Sequence, residues 1–348
     1  MATPWSLEPF DPQTASREDW RAFHVFRRAR EAEKAPGDPI TPDEQVEAQW
    51  RKPSPDWWER DAVVWDGDRI VGRYSAEGAK PGTTDFAANG HLMFGAGGVL
   101  GPWRRKGIGR LMLRRALADM DAAGARVLTT HSHEPDGQAF LEAHGVKVVS
   151  VLRYSRLDWT GIDWGQVDRW IAEGEQRAPE ITLELHDRRI PEPMWPESCA
   201  ARTELGRLVP RDDMDMGDWT MQVKDQREMY ERMDINGTDH HILFARDAAG
   251  KIVGITDVAW EPDKPTFVWQ YFTGVHPDAR GKGVGKRLKA AMLRHLRERY
   301  PDAGLRWMQT DNSSTNGPML AINERLGFRE HKISKTYQAD RETLARFA

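Results

Sequence analysis

The chain has 348 residues, with 50 lysines and arginines against 54 aspartates and glutamates, and a net charge of −4. That length is ordinary for two domains, each large enough to close its own core, and a mildly acidic chain is a poor general binder of nucleic acid or membrane surfaces. A single cysteine, Cys199, excludes an intrachain disulfide and a cysteine-based metal site, and no apolar run approaches the ~20 residues of a membrane span.

In chain order, residues 1–11 lack the basic and apolar regions of a secretion signal, so a reduced, cytoplasmic enzyme is expected. Trp5–Phe10 reads as a short strand, and Arg17–Ala32 and Asp43–Gln49 as helices. Ala62–Trp65 and Arg69–Ala76 form a hairpin across Asp66-Gly67-Asp68. His91–Val99 is a strand. Lys106–Ala122 is a helix with Ile108, Met112, Leu117 and Met120 on one face. Arg126–His131, Gly137–Ala143 and Val146–Leu157 follow as strand, helix and closing strand. A helical stretch, Gln166–Gln176, lies in what reads as a connection over 159–180. The order then repeats: strand Ile181–Asp187, helices Glu197–Leu208 and Lys224–Asp234, hairpin His241–Arg246 with Lys251–Trp260, and strand Phe267–Val275. Helix Lys282–Arg299, strand Leu305–Thr310, helix Asn316–Leu326 and strand His331–Gln338 complete it.

The repeat is sharpest where a strand stops at Arg-x-x-Gly-x-Gly and a basic helix follows. The two arginines, Arg104 and Arg280, stand 176 positions apart. A strand, a glycine-rich turn and a helix start together form a phosphate cradle: free backbone N–H groups and the helix dipole face the anion, and glycine admits it closely. The spacing excludes a Walker loop, because Lys286-Arg287 follows Gly285 and Arg110-Leu111 follows Gly109. It also excludes a dinucleotide fingerprint, whose third glycine is replaced by Met112 and Leu288.

The phrase resembles the coenzyme A loop of the GNAT acetyltransferase superfamily. So does the stretch Thr310-Asp311-Asn312, Asn316-Gly317-Pro318-Met319 and Asn323-Glu324-Arg325-Leu326-Gly327-Phe328, with a weaker N-terminal counterpart at Phe140–Val146. The resemblance implies an α/β fold of two tandem GNAT-like domains, 1–158 and 181–348, each a mixed, mostly antiparallel sheet flanked by helices. It implies acetyl-CoA as cosubstrate. The second site would be formed by Val275, His276, Pro277, Arg280, Gly281, Lys282, Gly283, Val284, Gly285, Lys286, Asn312 and Asn316. The first would be formed by Val99, Arg104, Arg105, Lys106, Gly107, Ile108, Gly109 and Arg110. Lys289 and Arg287 join the basic cluster at the second loop, which reads as an anion-site mouth or as solvated helix faces.

In the family, a bulge splays the loop-entry strand from its neighbour, and pantetheine lies in the gap. The implied oxyanion donors are backbone groups around Thr273–Val275, and around Ala96–Val99 in the first half, where Gly95, Gly97 and Gly98 suit a bulge or simply close packing. An alkyl amine, with a pKa near ~10.4, must lose a proton to attack. Asp257 and Asp311 are the catalytic candidates for that role, with Glu261, His240 and His241 behind them. Asn323 occupies the family's thiolate-protonating tyrosine position, and Leu141 is its counterpart in the first half. Glu134 stands where the second half has Asn316, so the C-terminal domain is expected to be the active one. The segment His131-Ser132-His133-Glu134 reads either as a catalytic or metal cluster or as ordinary polar loop residues, and Trp50, Trp57, Trp58, Trp195 and Trp219 could wall an acceptor site or fill cores. No metal is expected. The reading is an N-acetyltransferase acting on a small-molecule primary amine, by direct attack in a ternary complex. A protein N-acetyltransferase and a non-catalytic coenzyme A-binding protein remain open.

Overall fold

A computed structural model describes residues 5–347; the expected domain ends at 1–4 and 348 lie outside them. Two compact units divide the chain. Unit 1 comprises 1–151, 213–217 and 334–348; unit 2 comprises 152–212 and 218–333.

Unit 1 contains β1 (Leu7–Pro9), α1 (Arg17–Lys34), α2 (Asp43–Trp50), β2 (Trp57–Asp66), β3 (Arg69–Ala79), α3 (Thr84–Asn89), β4 (Leu92–Val99), α4 (Ile108–Ala123), β5 (Val127–Ser132) and α5 (Pro135–Ala143). Ser16 and Asp19 cap α1 reciprocally, each side chain accepting from the other's backbone N–H. On one sheet face, Ile108, Met112 and Met120 of α4 pack on Val64, Val71 and Met93. On the other, Trp20, Phe23 and Phe26 of α1 pack on Val63 and Ile70. Both stripes follow the helical spacing of the sequence. Trp50 packs against this second core, its ring tilted 52° to that of Phe23 at 4.7 Å.

The remaining elements are β6 (Lys147–Asp158), α6 (Trp164–Arg177), β7 (Thr182–His186), α7 (Trp195–Gly206), α8 (Val223–Asn236), β8 (Asp239–Arg246), β9 (Ile252–Trp260), β10 (Phe267–Val275), α9 (Val284–Arg299), β11 (Trp307–Ser313), α10 (Gly317–Leu326), β12 (Arg329–Asp340) and α11 (Arg341–Ala345). In unit 2, α6 and α9 share one core, through Val167, Trp170 and Ile171 against Leu288, Met292 and Leu296. Trp195, Leu205 and Tyr230 of α7 and α8 share another with Ile242, Phe244 and Ile255.

The two units repeat one strand order. In unit 1, β2, β3 and β4 are antiparallel neighbours and β4 pairs parallel with β5. In unit 2, β8, β9 and β10 do the same and β10 pairs parallel with β11. The division differs from the expected tandem in two respects. The strand that closes unit 1 comes from the chain's end: Lys335 to Asp340 of β12 pair antiparallel with Ser132 to Val127 of β5. The strand that closes unit 2 comes from the first half: Leu152 to Asp158 of β6 pair with Ser313 to Trp307 of β11. Tyr337 is fully buried in unit 1's core, and its hydroxyl donates to Glu142 Oε1 at 2.9 Å. The expected connection, 159–180, is not a linker either, because α6 is a core helix of unit 2.

Candidate active site

Each unit builds the same turn. Gly107 and Gly283 precede their helices at φ 89° and 86°, a left-handed conformation that side chains with a Cβ rarely adopt. The helix starts that follow leave the first backbone N–H groups without intrahelical partners, directed at the loop. The motif arginines share one bond: Arg104 Nε donates to Val99 O at 3.1 Å, and Arg280 Nε to Val275 O at 3.1 Å. They therefore brace the strand end that enters the loop, leaving the backbone to face an anion.

Each loop-entry strand also parts from its parallel neighbour. Pairing of β4 with β5 runs from Leu92↔Val127 to Phe94↔Thr129, and that of β10 with β11 from Phe267↔Trp307 to Trp269↔Gln309. Beyond these points the strands diverge towards their loops. In unit 2, β10 carries a one-residue bulge: Gln270 opposes Val258 and Phe272 opposes Asp257, leaving Tyr271 unpaired and 54% exposed. In unit 1 the expected bulge is absent, since Phe94 to Val99 pair with Glu77 to Gly72 in unbroken register. The glycines there serve packing instead. A Cβ on Gly95 would lie 2.8 Å from Leu128 Cδ1, and one on Gly98 3.0 Å from Arg30 Nε.

A cavity of about 620 Å³ opens in unit 1 between the loop and the parted strands, lined by Gly95–Val99, Arg104, Arg105, Gly107–Arg110 and His131–Glu134. Lys106, also expected here, is exposed. Arg30 and Lys34 of α1 line the cavity as well. Neither was expected from the sequence, although Arg30 stands on the apolar stripe of α1 with Phe23 and Phe26, and a charge at such a position is the signal. Glu134 is not a bare anion: Arg30 Nη2 lies 2.6 Å and Arg104 Nη2 3.2 Å from its carboxylate. Burial opposes its charge, but Arg30 foremost, with Lys34 and Arg104, holds the carboxyl below its usual range.

In unit 2 the basic cluster is divided. Lys282 pairs with Glu180 at 3.0 Å, Lys286 lies over the Trp170 ring, and Arg177 donates to Gly281 O at 2.6 Å. Arg287 is buried and donates to Ile181 O at 2.7 Å. Lys289 is buried too, donating to Gln270 Oε1 at 2.5 Å beside the Phe328 ring, and burial lowers its pKa to about 7. Arg287 and Lys289 are thus neither solvated faces nor loop-mouth cations. His276 accepts from Asp278 N at 3.3 Å and sits with Pro277 at the turn before Arg280. Val284 is a core residue, and Gly285 starts the helix beside it.

The catalytic candidates lie in different settings. Asp257 is buried beside Arg202 Nη2 at 2.6 Å and His240 Nε2 at 2.9 Å, with Tyr230 Oη 3.2 Å from His240 Nδ1. Burial disfavours its charge, yet Arg202 and His240 outweigh that and depress its pKa. Asp311 stands on β11, one residue along from Thr310 and opposite Tyr154 of β6. Strand alternation puts it on the face opposite Met308, which packs under α9. Its side chain keeps solvent access, but the burial of its surroundings raises its pKa. Asn323 is buried, and its Nδ2 donates to Asn312 Oδ1 at 2.8 Å, so the structure joins those two. Asn316 Oδ1 caps α10, accepting from Met319 N at 3.4 Å. Glu261 is paired with Lys264 at 2.8 Å. Of the tryptophans, Trp195 is in a core, while Trp219 is 41% exposed. Among the described residues, no helix is long and apolar enough to cross a membrane.

Residues 211–328 match the Acetyltransferase (GNAT) family. The chain is 27% identical over 252 residues to a mycothiol acetyltransferase of Segniliparus rotundus, covering 67% of this chain and 80% of that one. It is 28% identical over 236 residues to a mycothiol acetyltransferase of Thermobifida fusca, covering 65% and 68%. Its fold is similar to that of a tandem GNAT protein from the clavulanic acid biosynthesis pathway, with a TM-score of 0.71 and 19% identity over 97% of this chain and 98% of that one. Residues 211–328 thus carry a GNAT acetyltransferase domain, the two units with their matching strand order and loops have the fold of a tandem GNAT protein, and the chain is an N-acetyltransferase of that type.

Proposed function

We propose that this acetyltransferase moves an acetyl group from acetyl-CoA to a primary amine of a small molecule, in a ternary complex, and that unit 2 performs the chemistry. The observation that carries the assignment to unit 2 is the bulge at Tyr271, in a strand that has already parted from β11. A bulged, parted strand offers backbone N–H groups around Thr273–Val275 to a developing oxyanion, and such donors contribute several kcal/mol. The register of β4 is unbroken, which supports a binding rather than a catalytic role for unit 1. The names of the two relatives support a small-molecule acceptor.

The amine nitrogen attacks the thioester carbonyl carbon, the carbon–sulfur bond breaks, and the amine's proton passes to Asp311. Asp311 suits this role better than Asp257, because its carboxyl has the raised proton affinity and the access to solvent. Asp257, held charged by Arg202, positions the acceptor face. The sulfur leaves as a thiolate, whose thiol has a pKa near ~8.5, and takes its proton from solvent without a tyrosine acid, since Asn323 is committed to Asn312. Unit 1's cavity takes a second coenzyme A, with Arg30, Lys34 and Arg110 facing the polyanion. The test is thiol release from acetyl-CoA across a panel of small amines, with Asp311→Asn beside the wild type. Release without dependence on any amine, or full activity in the variant, would overturn the reading.

A further inference from the structure

Three side chains that take no part in the proposed acetyl transfer meet at the opposite end of α9 from the phosphate loop: Asp187 just after β7, His241 on β8 and His295 on α9. They are separated by 54 residues at each step, so no local motif announces them. His295 is eleven residues beyond Val284, the first residue of α9, which at 1.5 Å per residue puts it roughly 16 Å along the helix from the coenzyme loop.

The hydrogen bonds fix the proton on His241. Tyr300 O–H donates to Asp239 Oδ2 at 2.7 Å, so its oxygen is left to accept from His241 Nε2, also at 2.7 Å. The other nitrogen, Nδ1, therefore carries a lone pair. Arg188 N–H points at it from 3.4 Å, as it would at an acceptor. Around this lone pair stand Asp187 Oδ1 at 2.8 Å and His295 Nε2 at 3.0 Å, themselves 3.4 Å apart. A single proton on His295 Nε2 satisfies only one of these acceptors. The 2.8 Å approach of a carboxylate oxygen to an imidazole lone pair would remain, in a setting where His241 is fully buried. A cation shared by all three relieves it.

We propose that Asp187, His241 and His295 bind a divalent transition metal, zinc by preference, as a structural clasp between the end of β7, β8 and α9. Zinc bonds of about 2.0–2.1 Å set tetrahedral donors roughly 3.3–3.4 Å apart, and the three donor atoms already lie 2.8–3.4 Å from one another. Two imidazoles and one carboxylate form a zinc-type donor set, with the fourth position open to water beside the exposed Asp187. The relay from His241 Nε2–H through Tyr300 to Asp239 is the outer support that orients a metal-bound imidazole. Arg299 lies 3.5 Å from Asp187 Oδ2 and 3.7 Å from Asp239, and Arg188 lies 2.8 Å from Asp239, so the surrounding carboxylate charge is balanced on its outer side.

The full chain, stripped with a chelator and dialysed, should take up one equivalent of Zn²⁺ by calorimetry and elemental analysis, with micromolar or tighter affinity and a raised melting temperature. His295→Ala should abolish that uptake. Asp187→Asn, a change at an exposed side chain that leaves the fold intact, should weaken it at least tenfold. Co²⁺ in place of Zn²⁺ should give the intense visible bands of a four-coordinate nitrogen and oxygen site. Wild-type uptake no greater than that of a folded His295→Ala, uptake unchanged in Asp187→Asn, or a six-coordinate cobalt spectrum would each overturn the proposal. None of these readouts depends on acetyl transfer.

Discussion

Arg202 Nη2 lies 2.6 Å from Asp257 Oδ2, with the acid buried and the guanidinium largely so. The pair marks Asp257 as a charge that the fold keeps in place, because removing one member of a buried pair leaves the other uncompensated. Arg202→Ala is expected to destabilise the protein by about 3–5 kcal/mol in denaturant titration. The sign of its pH dependence follows from the depressed folded-state pKa. The pair's stabilisation is present above the ordinary aspartate range, near ~3.9, and is lost as pH falls through the lower folded value. In Asp257→Asn that acid-side loss should vanish from the stability profile.

Asp311→Asn is expected to lower kcat by about 10²–10⁴, the usual contribution of a positioned base, with little change in acetyl-CoA affinity. The wild-type kcat/KM should fall on the acid side at a pH above the ordinary aspartate range, because the carboxyl's pKa is raised. A pH–rate profile whose acid limb is the same in wild type and variant would remove Asp311 from the mechanism.

The two loops separate by substitution. Gly283→Val and Gly107→Val each force a β-branched residue into a left-handed conformation, at a cost of about 1–3 kcal/mol, and each places a side chain at its cradle. Gly283→Val should abolish turnover. Gly107→Val should leave turnover largely intact and reduce calorimetric stoichiometry from two coenzyme A molecules to one, with loss of the stabilisation that bound ligand gives unit 1. Steady-state kinetics at matched folded fraction decide the matter, and the opposite pattern would move the active site to unit 1.

Lys289 has a folded-state pKa near 7, well below its ordinary value of 10.5. Between those two values the unfolded chain binds more protons than the folded one, so this residue makes stability rise with pH from about 7 towards 10.5. Below the folded pKa the buried ammonium costs on the order of 5 kcal/mol, at about 1.36 kcal/mol per pKa unit. Lys289→Met should flatten the rise and raise stability at pH 6, less whatever is lost by leaving Gln270 Oε1 without its donor. Chemical denaturation at pH 6 and pH 9.5 measures both effects.

Cys199 is buried, and burial pushes its thiol up to about 11, which leaves almost no thiolate at neutral pH. Cys199→Ala should retain most activity. Intact-mass spectrometry of the wild type with acetyl-CoA and no amine should show no acetyl adduct.

Much of this architecture is legible in the residues. Glycines 107 and 283 mark their turns because few other residues accept that backbone, and Ile108, Met112 and Met120 fall on one helical face because their spacing is that of the helix. The bulge at Tyr271 leaves no such mark, since it is a relation between β10 and β9 rather than a property of either. Lys289 and Arg287 sit beside the Val284, Leu288 and Met292 stripe and read as surface charge, until Gln270 and Ile181 O supply their partners from distant segments. The closing strands escape the sequence for the same reason. Val146–Leu157 and His331–Gln338 each look like the end of a domain, and alternation in one strand does not state which edge it joins.

The exchange of those strands changes the order in which the chain becomes a protein. A ribosome can finish unit 2's closing strand, β6, before most of unit 2 exists, but unit 1 waits for Tyr337 and Leu344, which come after the whole of unit 2. At the usual pace of synthesis, ~5–20 residues per second, the edge of β5 stays open for roughly 10–40 s while the intervening segment is translated. The first domain to emerge is thus the last to close. A chain stopped after Ile333 would keep every residue of the coenzyme loops and still leave the N-terminal core unsealed.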